Sequence, residues 1–405
     1  MKRKVSFLIL ILIIIFQTGC WDMEEINEIG LVTVVGIDYS LDTNRYIVTA
    51  QIANPSPKSI DAKAPGASSD VWVGSTDGDS IFEALRNLAR ISSKRVTWSH
   101  NTIVILGEDF AKHDITPAID FFTHSPQLRM KTIVVVSKGA AKNYVASNVG
   151  LSTNNGIAFL EMSRYSSLPA VSIKSNMLKL ASDFSDDYSQ MLVSRIDRKT
   201  ALLSADDKNN VTESDAVAIE GSAVFKKSKM VGWLTPDETR GLAWILNNAQ
   251  DTISTVVKTD KSDDSDSKYN RVSIEVKKVK CKIDSKVVEG IPNINIKISG
   301  EGNIVEEDGT TNLNITKFKK EIETLLDKKI IDEINRGVNK VQKYYESDVL
   351  GFAQIVRVDN NEIWKNSLKN DWQKTFPNLP ININVKININ TSTLAQKPTT
   401  TTKGK

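Results

Sequence analysis

The stretch 381–389 reads Ile-Asn-Ile-Asn-Val-Lys-Ile-Asn-Ile, with an apolar residue at every odd position and a polar residue at every even one. Successive side chains of a β-strand point to opposite faces, so this pattern predicts a strand with one buried face and one solvated face. Ile294, Ile296 and Ile298 alternate with polar residues in the same way. The chain therefore contains at least two half-buried strands, which must share a partner that covers their apolar face.

The segment between these strands predicts that partner. Apolar residues recur there at helical spacing over roughly 25 to 30 residues. They are Phe318, Ile322, Leu325, Ile331, Ile334, Val338 and Val341. The simplest architecture is an antiparallel sheet covered on one face by a long helix, which we assign to a C-terminal α+β domain at 216–390.

A change of parity within this domain predicts an irregular strand. Val272, Ile274 and Val276 occupy even positions, whereas Val279, Cys281 and Ile283 occupy odd ones. One extra residue in a strand exchanges its faces, so we expect a β-bulge near Lys277 and Lys278. Cys281 then falls on the apolar face, where a buried free thiol is favoured.

The preceding part of the chain predicts a second α+β region at 20–203, of one or two subdomains. A buried strand at 31–37 pairs with a strand at 46–52, and helical and apolar stretches alternate after them. The polar segment 204–215 is interpreted as a linker, 54–70 as an exposed loop and 391–405 as a disordered tail. The predicted fold class is a multi-domain α+β protein with mixed or antiparallel sheets and packed helices.

The first residues have the pattern of an export signal. A short basic run at 2–4 precedes an apolar run at 5–16, which is too short for a comfortable bilayer span of roughly 20 residues. Cys20 follows Gly19 where such a signal is cleaved, as in a lipobox, although Gln17 departs from the usual leucine. We therefore expect residues 1–19 to be a lipoprotein signal peptide and Cys20 to be lipidated. An ordinary thiol, or a disulfide with Cys281, remains the alternative.

Charge balance argues against nucleic-acid binding. The chain has 52 Lys plus Arg against 49 Asp plus Glu, and three of the basic residues precede Cys20. The mature body therefore carries 49 of each, which lacks the basic excess of nucleic-acid binders.

The sequence contains no recognisable catalytic motif. His100, His113 and His124 are the only histidines, and they are not at the short spacings of zinc ligands. There is no Gly-x-Ser-x-Gly elbow and no glycine loop for phosphate. Asp237 and Glu238 are explained by helix capping. We therefore expect a non-enzymatic protein without cofactor or metal.

Four groups of short motifs resemble one family when taken together and in order. The segments are Gly19-Cys20-Trp21-Asp22; Ser92-Ser93-Lys94-Arg95 with Trp98-Ser99-His100-Asn101 and Gly107-Glu108-Asp109; Gly221-Ser222-Ala223-Val224-Phe225-Lys226 with Gly232-Trp233-Leu234 and Glu238-Thr239-Arg240-Gly241; and Asp348-Val349-Leu350-Gly351-Phe352 with Trp364 and Trp372. They resemble the Ger(x)C family, the C-subunit lipoproteins of spore nutrient-germinant receptors.

The resemblance implies a non-catalytic subunit, lipid-anchored on the outer face of the spore inner membrane. Its implied partners are a receptor A subunit and a transporter-like integral-membrane B subunit. Trp21 and Asp22 lie beside the anchor, where they are well placed to contact a membrane partner or, for Trp21, simply to rest in the membrane interface.

Two other classes of protein share the expected anchor. A solute-binding lipoprotein of an importer would bind a small molecule on its own. An anchored cell-envelope hydrolase would need a convergent catalytic constellation, which the sequence does not display.

Replacing Cys20 tests the anchor directly. Cys20→Ala should abolish metabolic labelling with palmitate and release the protein from the membrane fraction, because the thiol is the acceptor of the lipid. Membrane fractionation and labelling of wild type and variant measure this. Unchanged labelling, or a disulfide between Cys20 and Cys281, would contradict the prediction.

Overall fold

The computed structural model describes residues 28–53, 71–125, 127–147, 149, 155–166, 168–204, 211–260, 268–309 and 315–390. The predicted signal peptide, the loop at 54–70 and the tail at 391–405 lie outside these residues. The described chain forms two sheets packed with helices, which agrees with the predicted α+β class.

The N-terminal sheet has nine strands in the order β3-β2-β1-β5-β6-β7-β8-β9, with β4 paired to the start of β1. Their bounds are β1 Ile29–Ser40, β2 Arg45–Ala53, β3 Val71–Gly78, β4 Arg95–Thr97, β5 Ile103–Leu106, β6 Ile133–Ser137, β7 Leu192–Ser204, β8 Val211–Lys226 and β9 Lys229–Leu234. Strands β1, β5, β6 and β7 are mutually parallel, whereas β2, β3, β8 and β9 are added in antiparallel pairs. The predicted hairpin of β1 and β2 is confirmed.

Helices cover both faces of the parallel strands. They are α1 Ile81–Ile91, α2 Glu108–His113, α3 Thr116–His124, α4 Lys142–Val145, α5 Asn155–Tyr165 and α6 Met177–Ser185. Apolar side chains of α1, α2, α3 and α6 form one core with the sheet, and those of α4 and α5 form another on the opposite face. Parallel strands buried on both sides need continuous apolar sequences, and 31–37 is such a sequence.

The linker predicted at 204–215 is wrong for Val211 to Asp215. These residues are the first part of β8, and they pair antiparallel with the end of β7. The hairpin of β8 and β9, expected within the C-terminal domain at 216–390, extends the N-terminal sheet. The polar composition misled because strand pairing is made by backbone hydrogen bonds, which polar residues can also form.

The C-terminal sheet has the order β10-β11-β12-β13. Its strands are β10 Thr252–Asp260, β11 Lys268–Val288, β12 Ile291–Gly309 and β13 Ile381–Asn390. The helical elements of this part are α7 Pro236–Ile245, α8 Ile315–Asn339, a π-helical turn Lys340–Tyr344, α9 Phe352–Asp359, α10 Asn361–Ile363, a π-helical turn Trp364–Leu368, α11 Lys369–Thr375 and a 3₁₀ turn Phe376–Asn378. The predicted long helix is confirmed as α8. No helix in the described ranges has the length and apolarity to span a bilayer.

The C-terminal sheet is antiparallel only in its first three strands. β13 runs parallel to β12, with Ile294 opposite Ile381, so the fully antiparallel prediction is wrong for this pair. The connection from β12 to β13 contains α8 and the helices after it, and a crossover of this length allows the chain to re-enter the sheet in the same direction. α8 also contacts the outer edge of β13, where Asp327 and Glu323 accept hydrogen bonds from the amides of Ile387 and Ile389 at 2.9 and 2.8 Å.

The predicted bulge lies where the parity changes. The β11–β12 register shifts between Lys277 and Lys280, and Lys278 has a positive φ of 53°. Val276 and Val279 are both buried as a result. Cys281 is half-buried and forms no disulfide with any described residue, and burial raises the pKa of its thiol to about 11.

The alternation in β13 gives a matched pair of substitutions. Val385 is buried and Asn384 is exposed, so Val385→Asp should destabilise the C-terminal domain by several kcal/mol, because it buries a charge without a partner. Asn384→Asp adds the same charge on the solvated face and should be tolerated. Thermal unfolding of both variants checks this, and equal midpoints would contradict the assigned faces.

Candidate functional site at the junction of the two sheets

The third and fourth motif groups meet where the two sheets join. The β8–β9 hairpin carries the third group, and the segment 345–352 after α8 carries the start of the fourth. Tyr345 donates its hydroxyl to the carbonyl of Trp233 over 2.9 Å. A Cβ on Gly232 would lie 2.3 Å from the Tyr345 hydroxyl oxygen, so only glycine lets this ring lie on the strand.

Two further contacts attach the same segment to the hairpin. Ser347 donates its hydroxyl to the carbonyl of Phe225, and Lys226 forms an ion pair with Glu346 at 3.3 Å. The first contact is buried and the second is partly exposed, so the hydroxyl is the stronger constraint. The segment is thereby held against β8 and β9 at three successive positions.

Asp348 is the buried centre of this junction. Its carboxylate accepts hydrogen bonds from the amides of Phe352 and Ala353 at 2.9 and 2.8 Å and from the indole of Trp372 at 3.2 Å. Gly351 precedes helix α9 with a positive φ of 70°, which brings the first amides of the helix towards the carboxylate. Burial raises the pKa of Asp348 to about 6, although these hydrogen bonds favour the ionised form.

The main chain of Asp348 also contacts the N-terminal region. Its carbonyl accepts a hydrogen bond from the amide of Gln190 at 3.1 Å. Nearby, Trp364 lies between Tyr188 and Trp372, with ring centroids 4.9 and 5.3 Å apart. The tryptophans of the fourth motif group are thus buried anchors around Asp348.

Trp233 connects the junction to the second motif group. Its indole donates to Glu108 over 3.3 Å, and the guanidinium of Arg195 lies 5.8 Å from its ring centroid. Burial opposes ionisation of Glu108, but hydrogen bonds from Lys112, Gly139 and Trp233 together outweigh it and lower the pKa of Glu108.

Glu108 follows the carboxyl end of β5, close to a buried acid. Asp38, near the end of β1, accepts hydrogen bonds from the amides of Ala141 and Lys142 at 2.7 and 3.0 Å. A Cβ on Gly107 would lie 2.0 Å from a carboxylate oxygen of Asp38, which explains the glycine before Glu108. Burial raises the pKa of Asp38.

The last part of the third group forms the contact between α7 and α8. Thr235 and Glu238 form a capping box at the start of α7, which confirms the helix-capping role expected for Glu238. A Cβ on Gly241 would lie 2.0 Å from the carbonyl oxygen of Glu333, so the two helices meet at backbone distance. The buried carboxylate of Glu333 accepts a hydrogen bond from the indole of Trp244 at 2.9 Å, which gives this acid a partner.

These contacts form a series of side chains that are linked either directly or through neighbouring backbone, and we call this series the junction path. It consists of Asp38, Glu108, Trp233, Tyr345, Asp348 and Trp372. It spans the carboxyl edge of the parallel strands, the β8–β9 hairpin and the C-terminal helices. This arrangement positions backbone segments relative to one another; the groups on it are engaged in hydrogen bonds with the protein itself.

The contacts described above do not include the residues proposed as sites from the sequence. Cys20, Trp21 and Asp22 are outside the described residues. His100 is exposed, and His113 stacks on Tyr39 with ring centroids 4.0 Å apart. Across the described ranges, no three His, Cys, Asp or Glu residues are grouped so that they could hold a metal ion.

A cavity of about 210 Å³ lies beside the junction, between the end of α6 and the β8–β9 turn. Asp183, Asp186, Gln190 and Lys227 are among its lining residues. Pockets for small molecules usually have volumes of about 300 to 1,000 Å³. This cavity is smaller than that range, and Asp186 already bonds Gln354 and two backbone amides.

Sequence reasoning found some of these residues only through the resemblance. Trp233, Glu108, Gly241 and Asp348 belong to the quoted motifs, but nothing in their spacing predicted their contacts. Tyr345, Asp38 and Arg195 were missed, since a lone tyrosine or acid in an apolar stretch has no distinctive pattern. A signal was available for Asp348, because Asp-x-x-Gly-Phe places an acid just before a helix start.

The fold and the junction define a two-sheet α+β protein whose motif residues bind one another. Two family models match it in sequence order: the spore germination protein N-terminal domain at residues 22–198 and "Spore germination B3/ GerAC like, C-terminal" at residues 220–393. The chain therefore belongs to the Ger(x)C family of spore germination proteins. The boundary between the two models falls within the β7–β8 hairpin.

Similar proteins cover nearly the whole chain. Spore germination protein KC of Bacillus subtilis (strain 168) is 28% identical over 98% of this chain and 98% of its own. Spore germination protein B3 of the same organism is 23% identical over 93% of this chain and 94% of its own. The crystal structure of the GerBC protein matches with a TM-score of 0.51 and 18% identity, over 88% of this chain and 96% of that one, which confirms the α+β fold.

The raised pKa of Asp348 predicts a pH-dependent stability. The folded protein holds this proton more tightly than the unfolded chain, so the contribution is complete below about pH 4 and is lost as the pH rises towards about 6. From about pH 4 to pH 7 the wild type should lose roughly 3 kcal/mol relative to Asp348→Asn. Urea unfolding across this range measures it, with Asp371→Asn, an exposed acid on α11, as the control. Parallel stability curves for wild type and Asp348→Asn would contradict the prediction.

Proposed function

We propose that this protein is the membrane-anchored C subunit of a spore nutrient-germinant receptor, where it acts as a non-catalytic scaffold and coupling component. Its partners are a receptor A subunit and a transporter-like integral-membrane B subunit. It resides on the outer face of the spore inner membrane, held by lipid at Cys20. Membership of the family and the names of the relatives support a role in spore germination.

The observation that carries the proposal is the junction path. Residues of three motif groups are engaged in joining the N-terminal sheet to the C-terminal helices, and the carboxylates of Asp38, Glu108 and Asp348 are occupied by protein donors. A catalytic site keeps its acids and bases directed at a substrate. Side chains that bind each other suit a protein that transmits or resists force between its parts.

The two alternatives make different demands. A solute-binding lipoprotein needs a ligand pocket of its own, and the cavity beside the junction is below the usual volume. Calorimetry of the isolated protein with nutrients would detect such binding. A hydrolase would turn over cell-envelope substrates without any receptor partner.

The proposed contact of Trp21 and Asp22 gives the experiment. The full chain is tagged and recovered from spore inner membranes, and its co-purifying proteins are identified. The double variant Trp21→Ala/Asp22→Ala should stay lipidated and folded but recover fewer A and B subunits and slow nutrient-triggered germination several-fold. Germination by chemical activators of later steps should be unchanged.

A matched control separates this contact from general loss of surface residues. Trp72→Ala/Asp79→Ala removes an exposed tryptophan of β3, an edge strand of the N-terminal sheet, and the exposed acid that follows this strand, and it should behave as the wild type. Normal recovery of partners and normal germination in the Trp21/Asp22 variant would refute the contact. Absence of any receptor subunit beside the wild-type protein would refute the proposed function.

A further inference from the structure

Three connections converge at the amino ends of the parallel strands. The amide of Thr102 donates to the carbonyl of Thr33, the amide of Ile133 to that of Thr102, and the amide of Met177 to that of Thr132, each over 3.0 Å. Residues 91–102, 125–132 and 171–178 therefore lie along one edge of the sheet. We call this set, for its described residues, the amino edge.

The amino edge is basic. Its sequence contains no Asp or Glu, and its cationic residues are Lys94, Arg95, Arg129, Lys131 and Lys174. All of them except the half-buried Lys94 are exposed. No described carboxylate forms an ion pair with Arg129, Lys131 or Lys174. Acids flank these connections in the sequence: Glu28 precedes β1, with Asp22, Glu24 and Glu25 before it, and Asp186 and Asp187 precede β7. The basic surface is therefore the middle of the edge, around Arg129, Lys131 and Lys174.

Large apolar side chains are exposed beside these cations. Ile91, at the end of α1, is 56% exposed, and Leu178, at the start of α6, is 55% exposed. The amide of Leu178 donates to the carbonyl of Met130, which places it between Arg129 and Lys131. Basic and apolar side chains mixed on one surface are the combination that binds the interface of an anionic bilayer.

The length of chain before β1 limits how far this edge can lie from Cys20. Eight residues separate Cys20 from Ile29, and the nine Cα-to-Cα steps between them span at most about 31 Å when fully extended. Ile29 pairs with Arg95 within the amino edge. If Cys20 carries the lipid, as in the proposed function, this edge cannot be far from the membrane. The carboxyl edge, with the acids Asp38 and Glu108, lies at the opposite ends of the strands.

We propose that the amino edge rests on an anionic lipid bilayer and thereby orients the protein, with the carboxyl edge and its end of the junction path directed away from the membrane. Attraction between basic residues and anionic headgroups acts only within about a Debye length, roughly 8 to 10 Å, so the short tether and the basic edge act together. The lipid holds the protein at the membrane, and the edge selects which side faces it.

Vesicle binding tests this surface independently of the anchor. The mature chain with Cys20→Ser retains every described residue and lacks the acceptor for lipid. It is sedimented with vesicles of phosphatidylcholine alone or with about 30% phosphatidylglycerol. The triple variant Arg129→Glu/Lys131→Glu/Lys174→Glu reverses the amino edge. Lys280→Glu/Lys282→Glu/Lys286→Glu makes the same change of charge on exposed lysines of β11.

Binding to the anionic vesicles should weaken with salt, be absent on neutral vesicles, and fall at least about tenfold in the amino-edge variant. The β11 variant should bind within about twofold of the wild type, since its charges lie elsewhere. Circular dichroism checks that both variants fold.

Absence of binding by the wild type, or equal loss in both variants, would overturn the proposal. Normal vesicle binding by the amino-edge variant together with poorer recovery of receptor subunits would also overturn it, in favour of an acidic protein partner. Failure of palmitate labelling at Cys20 with intact vesicle binding would remove the anchor and leave this surface standing.

Discussion

The burial of one carboxylate, that of Asp348, sets the geometry on which the joined sheets depend. Three donors from two helices bind it, and its own carbonyl binds Gln190 of the N-terminal region. An acid in such a place is tolerable only while its hydrogen bonds are complete, because an unpaired buried charge costs several kcal/mol. The position of Trp372 and the start of α9 are therefore tied to one another through this side chain.

The consequences extend along the chain in both directions. Because Asp348 fixes the turn after α8, Tyr345 and Ser347 reach the β8–β9 hairpin at defined places. Because Trp233 is fixed there, its indole can reach Glu108. Each link is modest, about 1 kcal/mol for an ordinary hydrogen bond. Together these hydrogen bonds couple the N-terminal sheet to the C-terminal helices, so that the two parts move together.

The sequence predicted those elements whose pattern is local. Three such patterns are the alternation in 381–389, the spacing in α8 and the change of parity at Lys277. Each depends on which face of a single element is buried, so the local pattern of apolar residues was enough to predict it. The direction of β13 was not predictable, because parallel and antiparallel partners require the same alternation. β7 and the start of β8 were missed because their polar ends carry no apolar pattern. The junction path was not predictable for another reason. Most of its contacts join residues more than one hundred positions apart, such as Trp233 and Glu108, and no local property of either residue specifies the other.

The hydrogen bonds from β13 to Asp327 and Glu323 affect whether another chain can pair with the edge of the C-terminal sheet. The free edge of a sheet is ordinarily a template on which another chain can add a strand. Here the amides of Ile387 and Ile389 already donate hydrogen bonds to carboxylates of α8. An incoming strand would have to displace these carboxylates, which would then lose their hydrogen-bond donors. A high local concentration of identical copies increases the hazard of edge-to-edge polymerisation. An edge closed by its own helix lets many copies lie side by side as separate molecules.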